Sequence, residues 1–300
     1  AVEGKFFHRA GIAWKQFAAW ADRSVGYQNR KILSKNTRTI NDQIMFITFQ
    51  HAYACNPRYI CRELVRRQAP VKIVWAVSNL IDRNGVPEAD NITLVKMNSY
   101  EYFEAACSSK IIVINSLLGD KFYPFPVRDD QMVYETWHGS LGIKRFDPEH
   151  YNTNESWPVA AERTGKLTTK CITNSKFEED VFHETFWPDT PMLRLGHARN
   201  DVFFDSYKKT RERWRQEFIT DYALDEDSKF ILYAPTFRDT HNFAVYDIQA
   251  DRLVNTMSRR FGGKWKLLVR YHDNDKKNEV VNNRVISENV IDVTRFPDIQ

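Results

Sequence analysis

Two histidines in this chain stand where an α/β fold does its chemistry. The run Gln131-Met132-Val133-Tyr134 reads as a strand and delivers Glu135-Thr136-Trp137-His138-Gly139-Ser140 into a glycine-broken loop. Ligands of open α/β sheets gather at the carboxyl ends of strands, and glycine there lets the backbone approach a bound group closely. A histidine at that place can serve as a base against a phosphate, since its unperturbed pKa of about 6.5 suits proton transfer near neutrality. His272 ends a second apolar run, residues 265–271. Placed alike in two α/β units, the pair suggests a cleft with one histidine on each wall. Arg199, Arg238 and Arg270 each fall at a strand end or in the following loop, where a guanidinium fork can grip phosphate.

Plainer roles exist for all of these. A lone histidine at a strand end usually satisfies a hydrogen bond and nothing more. Arg238-Asp239 can be a surface pair of little consequence, and Arg199-Asn200-Asp201 a turn and helix cap. Trp-His-Gly is costly to place in a loop for packing alone, which favours function at His138. The other six histidines, His183 and His197 among them, are left structural or unassigned.

The elements that must position these groups alternate between strand and helix. Buried strands are expected at 44–49, 72–77 and 110–115, with a further one at 91–96. Their continuous apolar character is that of parallel strands covered on both faces. Between them, Asn56-Pro57 opens a helix through Glu63 and Arg67, with Asn56 as N-cap, and residues 99–108 form another. After the His138 loop, 147–165 is polar and weakly patterned. A short strand at 171–174 precedes a helix capped by Ser175, where Glu178 completes a capping box. A strand at 192–195 and the loop Gly196-His197-Ala198-Arg199-Asn200-Asp201 close the first unit. Residues 206–226 read as a charged helical connector. The second unit offers strands at 230–235, 265–271 and 290–293 and a helix at 249–261. Three strands leave a raw edge, so this unit is expected to be incomplete at its C-terminal end.

Composition narrows the partners. The 300 residues are 42% hydrophobic and 27% charged, as befits a globular chain. The net charge of +4 is uneven: eight Lys or Arg face only Glu3 and Asp22 within residues 1–40, and the remainder is slightly acidic. Phe6, Phe7, Ala10, Ala13, Trp14, Phe17 and Trp20 recur at roughly helical spacing beside these basic residues. A basic helix with an aromatic face can lie in an anionic membrane surface, or it can pack on the domain as an ordinary helix. No apolar run approaches the roughly 20 residues that span a bilayer, and a signal-peptide core is not seen. The expectation is a cytoplasmic chain or one peripheral to the cytoplasmic face of a membrane. Cys55, Cys61, Cys107 and Cys171 show no metal-binding spacing and read as reduced thiols.

Five segments, taken in order, resemble the CDP-glycerol glycerophosphotransferase family of teichoic-acid and capsule polymerases. They are Thr136-Trp137-His138-Gly139 with Lys144 downstream; Asn174-Ser175-Lys176-Phe177; Gly196-His197-Ala198-Arg199-Asn200-Asp201; Ile231-Leu232-Tyr233-Ala234-Pro235-Thr236-Phe237-Arg238-Asp239; and the strand ending in His272. The resemblance runs from about residue 43 to the end. Ala198 and Asp273 replace prolines usual in the family. The resemblance implies a GT-B architecture, two Rossmann-like domains facing across a cleft: a basic segment over 1–40, a first, acceptor-side domain over 41–205, a connector over 206–227, and the first part of a nucleotide-donor domain over 228–300. It places the two required histidines at His138 and His272. Substrate contacts fall to Trp137, Gly139, Lys144, Arg199, Asn200, Thr236, Arg238 and Arg270.

The implied reaction moves glycerol phosphate or ribitol phosphate from a CDP-polyol donor to a growing polymer with release of CMP. It uses no metal or other cofactor. The partners expected are the donor, a lipid-linked polymer acceptor and an anionic membrane surface, with no nucleic acid. One histidine would take the proton of the acceptor hydroxyl; the other, with Arg and Lys, would stabilise charge on the phosphoryl oxygens. Two alternatives stay open: a GT-B glycosyltransferase or epimerase acting on a nucleotide sugar, and a non-catalytic module that only binds acceptor.

Overall fold

The computed structural model of the protein describes residues 33, 38–49, 52–80, 85–118, 125–139, 156–236, 248–272, 285–294 and 296. The chain divides into two compact units, 1–201 and 202–300. The basic aromatic segment expected over 5–24 lies outside the described residues, as do Lys144 and Arg238.

Unit 1 alternates strand and helix: β1 (Ile40–Ile47), α1 (Cys55–Arg66), β2 (Lys72–Val77), β3 (Ile92–Lys96), α2 (Tyr100–Ser108), β4 (Ser109–Ile114), β5 (Met132–Glu135), α3 (Ser156–Leu167), β6 (Lys170–Thr173), α4 (Lys176–Thr185) and β7 (Met192–Arg194). The strands form one parallel sheet in the order β3-β2-β1-β4-β5-β6-β7. The order reverses between β1 and β4, and at such a switch point doubly wound sheets open a crevice at their carboxyl edge. The apolar runs of β1 and β2 serve both faces of the sheet by simple alternation. Met45, Ile47, Val74 and Ala76 enter one core with Phe103 and Ala106 of α2. Their neighbours Ile44, Phe46, Ile73, Trp75 and Val77 enter the opposite core with Cys61 of α1. Phe46 and Trp75 stack at 4.9 Å within it.

Three local expectations are corrected. Asn56 does not cap α1: the N-cap is Ala54, without a side-chain bond, and Asn56 is buried inside the first turn. The capping box of α4 closes only halfway. Ser175 Oγ accepts the Glu178 N–H at 3.2 Å, but the Glu178 carboxylate turns to the Asn174 N–H at 2.7 Å. The weakly patterned stretch 147–165 contains the start of α3, whose Gly165 lies under the Trp187 indole. A Cβ at that position would sit 2.5 Å from Trp187 Cδ1.

Unit 2 holds α5 (Lys208–Asp221), β8 (Lys229–Tyr233), α6 (Ala250–Phe261), β9 (Trp265–Val269), β10 (Val285–Ser287) and β11 (Val290–Asp292). Its sheet has four strands among the described residues rather than three, in the order β10-β11-β9-β8. The additional strand, β10, runs antiparallel to β11, while β8, β9 and β11 are parallel. Val254 of α6 packs on Leu267, Val269 and Val290 to form its core.

Candidate functional site

The carboxyl ends of β1, β4 and β5 lie side by side at the switch point, and each contributes one residue to the surroundings of His138. From β5 the chain passes through Thr136 and Trp137. Thr136 is tied to Ile114 of β4 by both its N–H and its Oγ1, at 2.8 Å each. Trp137 takes the left-handed conformation, φ +45°, uncommon for a non-glycine residue. Its N–H donates to Glu135 Oε1 at 2.6 Å, and its carbonyl accepts from Asn56 Nδ2 at 3.1 Å. The Trp137 indole is buried edge-on to Trp187, centroids 5.3 Å apart, and against Phe186 at 5.2 Å. This turn swings His138 to the half-buried edge.

Among the described residues the imidazole meets Asn115, Phe49 and the Trp137 ring, the last with centroids 4.4 Å apart. His138 Nδ1 lies 2.5 Å from the Asn115 carbonyl, just past β4. A carbonyl only accepts, so Nδ1 carries the proton and Nε2 is the basic nitrogen. The ring stacks on Phe49, just past β1, with centroids 5.0 Å apart and planes 15° from parallel.

A second layer supports the loop. Asn56 Nδ2 donates to the Thr136 carbonyl at 2.8 Å and reaches His197 Nδ1 at 3.3 Å, while its Oδ1 accepts the Arg199 N–H at 3.1 Å. His197 Nε2 lies 3.0 Å from Glu178 Oε1, and both side chains are almost wholly buried. With Nε2–H donating to the carboxylate, Nδ1 is left to accept from the Asn56 amide. Arg199 Nη1 donates to the His138 carbonyl at 3.0 Å and to Cys55 Sγ at 3.2 Å. Its fork is therefore engaged in holding the loop. Asn200 follows in a 3₁₀ turn, Ala198–Phe203, its N–H on the His197 carbonyl at 2.8 Å. Gly196 enters this turn at φ +84°, where a side chain would be strained.

Beneath the loop lies Glu135, fully buried. Burial pushes its carboxyl up to about 8, against the counteracting bonds from the Trp137 and Thr136 backbone. Its Oε2 has no hydrogen-bond partner among the described residues. Burial likewise raises the neighbouring Cys171 thiol, with Glu135 and Glu178 adding to the effect. Cys61, Cys107 and Cys171 are buried and Cys55 is half-buried.

The structure therefore brings together His138, Trp137, Gly139, Arg199 and Asn200 of the expected residues. Thr236, Arg270 and His272 belong to unit 2, at the carboxyl ends of β8 and β9. There the Arg270 guanidinium donates to the carbonyls of Val293, at 3.2 Å, and Phe296, at 2.7 Å. His272 is half-buried and Thr236 exposed. Sequence reasoning passed over Phe49, Asn56, Asn115, Glu178 and His197. Asn115 carried the same signal as His138, a polar residue ending an apolar strand. Among the described residues no cluster of His, Cys, Asp or Glu could hold a metal ion, and no helix is long and apolar enough to cross a membrane.

Fold and site define an α/β protein that holds an imidazole at the switch point of its first parallel sheet. The chain belongs to the CDP-glycerol:poly(glycerophosphate) glycerophosphotransferase family, whose model matches residues 30–300. It is 25% identical over 234 residues to a teichoic acid poly(glycerol phosphate) polymerase of Staphylococcus epidermidis, covering 73% of this chain and 30% of the relative. It is 27% identical over 213 residues to a teichoic acid poly(ribitol-phosphate) polymerase of Bacillus spizizenii, covering 69% of this chain and 32% of the relative. The chain thus spans about a third of the length of these two relatives. The solved structure of the wall teichoic acid polymerase TagF superposes with a TM-score of 0.73 at 22% identity, over 98% of this chain and 71% of that one. The α/β, GT-B-like fold is shared with it.

Proposed function

We propose that this chain carries the transferase chemistry of a polyol-phosphate polymerase. It moves glycerol phosphate or ribitol phosphate from a CDP-polyol to the hydroxyl end of a teichoic-acid-like polymer. The observation that carries the reading is the imidazole of His138, its tautomer set by the Asn115 carbonyl, at the crevice of the first sheet. The names of the relatives support it, as does a TagF structure obtained with CDPG soaked into the crystal.

The steps follow from the residues. The acceptor hydroxyl gives its proton to His138 Nε2 as its oxygen bonds to the β-phosphorus of the donor. The bond from that phosphorus to the bridging oxygen breaks, and CMP leaves with the electron pair. Arg199 and Asn56 hold the loop so that Nε2 stays within reach, and the energetic gain is mostly positional. Thr236 and His272, at the carboxyl edge of the second sheet, are assigned to the donor's nucleotide and phosphates, together with Lys144 and Arg238. The acceptor is a lipid-linked polymer, and the basic segment over 1–40 brings the protein to the anionic cytoplasmic face of a membrane as a peripheral protein.

The test is CMP release from CDP-glycerol and from CDP-ribitol, in the presence of a lipid-linked acceptor. His138→Ala is expected to lower turnover by roughly 100-fold or more, the scale of a lost general base, with the fold kept. Near-normal release from that variant removes His138 from the chemistry. Release of UDP from a UDP-sugar, with none of CMP, replaces the reading with a glycosyltransferase.

A further inference from the structure

Phe49 remains 50% exposed although it is a large apolar side chain, and it lies beside His138. Its ring lies parallel to that of His138, and its N–H donates to Asn115 Oδ1 at 2.8 Å. The carbonyl of the same Asn115 takes the His138 Nδ1–H. One residue at the end of β4, itself buried, therefore fixes both the ring stacked on the histidine and the proton that defines its tautomer. The terminal torsion of a histidine is broad, so its ring can swing unless neighbours fix its plane. A second ring pinned through its own backbone takes that freedom away.

We propose that Phe49 and Asn115 are positioning residues that lock His138 in one plane and in the Nδ1–H tautomer, leaving Nε2 to receive the acceptor's proton. This rests on the reading of His138 as the base. Three strand ends, β1, β4 and β5, meet for this purpose at the reversal of strand order. Among the described residues, the charged and titratable groups on this loop include Arg199 on the His138 carbonyl, Cys55 of α1 near the Trp137 carbonyl, and Glu135 beneath Trp137. None of these bonds is made to the side chain of Phe49 or Asn115, so a change in the imidazole of those variants is read as a change of plane and tautomer.

The experiment uses the full chain labelled with ¹⁵N-histidine. The His138 signals are assigned by difference from His138→Gln, and the tautomer is read from two-bond ¹⁵N–¹H correlations at pH 8. Wild type is expected to show one tautomer, Nδ1–H. Phe49→Ala is expected to show a mixture, with kcat lowered ~10- to 100-fold, the scale of a small misplacement of a reacting group. KM for the CDP-polyol stays within about twofold, since this loop is assigned to the acceptor's proton rather than to donor binding. Phe49→Tyr restores both the tautomer and kcat. Asn115→Ser, which keeps the carbonyl but frees the Phe49 backbone, moves both readouts in the same direction by a smaller factor. A single Nδ1–H tautomer in Phe49→Ala, or a mixture with kcat unchanged, overturns the proposal. Wild-type turnover by His138→Gln would overturn the base assignment instead, and the spectra would still decide whether Phe49 and Asn115 lock the ring.

Discussion

Replacing Glu135 by Gln should make unit 1 more stable, by an amount that grows with pH. The carboxyl is fully buried and is pushed from its ordinary 4.5 up to about 8. The native state therefore holds this proton up to about pH 8, whereas the unfolded chain releases it above about 4.5. Between those values the native state binds more protons, so its stability is fully present below pH 4.5 and falls as pH rises. At about 1.4 kcal/mol for each pH step, the penalty reaches about 3 kcal/mol at pH 7 and about 4 at pH 8. In Glu135→Gln the new side-chain carbonyl accepts the Trp137 N–H just as Glu135 Oε1 does. The amide N–H₂ replaces a protonated oxygen that already lacks a partner among the described residues, so near pH 5 the two proteins should differ by no more than about 1 kcal/mol. Cys171 stays protonated throughout, its thiol being raised further by burial. Urea unfolding between pH 5 and 9, followed through the buried Trp75 and Trp187, is the assay. With a slope of about 3 kcal/mol per molar urea, the midpoint of Glu135→Gln should lie about 1 M above wild type at pH 7. A midpoint gap that does not change with pH would refute the reasoning, because it would mean that Glu135 is ionised in the folded protein at neutrality.

Asn56→Ala strips the Thr136 and Trp137 carbonyls and the Arg199 N–H of a common buried partner. A loss of about 3 kcal/mol or more is expected in urea unfolding, with Asn56→Asp worse, since a carboxylate there faces two carbonyl oxygens. Gly165→Ala drives a methyl to 2.5 Å from the fully buried Trp187 ring. It should cost about 1–3 kcal/mol as an overpacked site; an unshifted midpoint would show that the indole can move aside. Removing residues 1–40 should weaken co-sedimentation with anionic vesicles, each Lys or Arg contributing about 1 kcal/mol at such a surface. Equal binding by both chains, or binding indifferent to salt, would count against the membrane assignment.

The sheet of unit 1 was largely legible because its central strands bury both faces. Residues 44–49, 72–77 and 110–115 read as continuous apolar runs, and β1, β2 and β4 lie within a few residues of them. What escaped was structure whose cause is not local. α3 reads Ser-Trp-Pro-Val-Ala-Ala-Glu-Arg-Thr-Gly-Lys-Leu, with Gly165 against helix propensity, and it is held by packing of Ala161 in the Trp137–Trp187 cluster. β10 has three residues and exists as the antiparallel partner of β11. Asn56 shows the same limit at the site. Before a proline it has the local signature of a cap, but the groups it binds lie 80 and more residues away and are mostly backbone atoms. Backbone acceptors leave no mark in the sequence. Arg270 shows the same thing in unit 2: its position after a strand was legible, but the carbonyls of Val293 and Phe296 that its Nη1 reaches were not.

The network around Asn56 also explains why two motifs separated by some sixty residues occur together. Thr136-Trp137-His138-Gly139 needs a left-handed Trp137 to bring the imidazole to the crevice, and such backbone strain costs on the order of 1–3 kcal/mol. Glu135 stabilises that turn from the N–H side and Asn56 from the carbonyl side. Asn56 is itself oriented by the Arg199 N–H and by His197, whose proton is directed to buried Glu178. Arg199 then returns to the His138 carbonyl. The second motif thus acts as the support of the first. Altering His197 should disturb His138 through Asn56 and Arg199, and a change at Glu178, on α4, should be felt at the same imidazole.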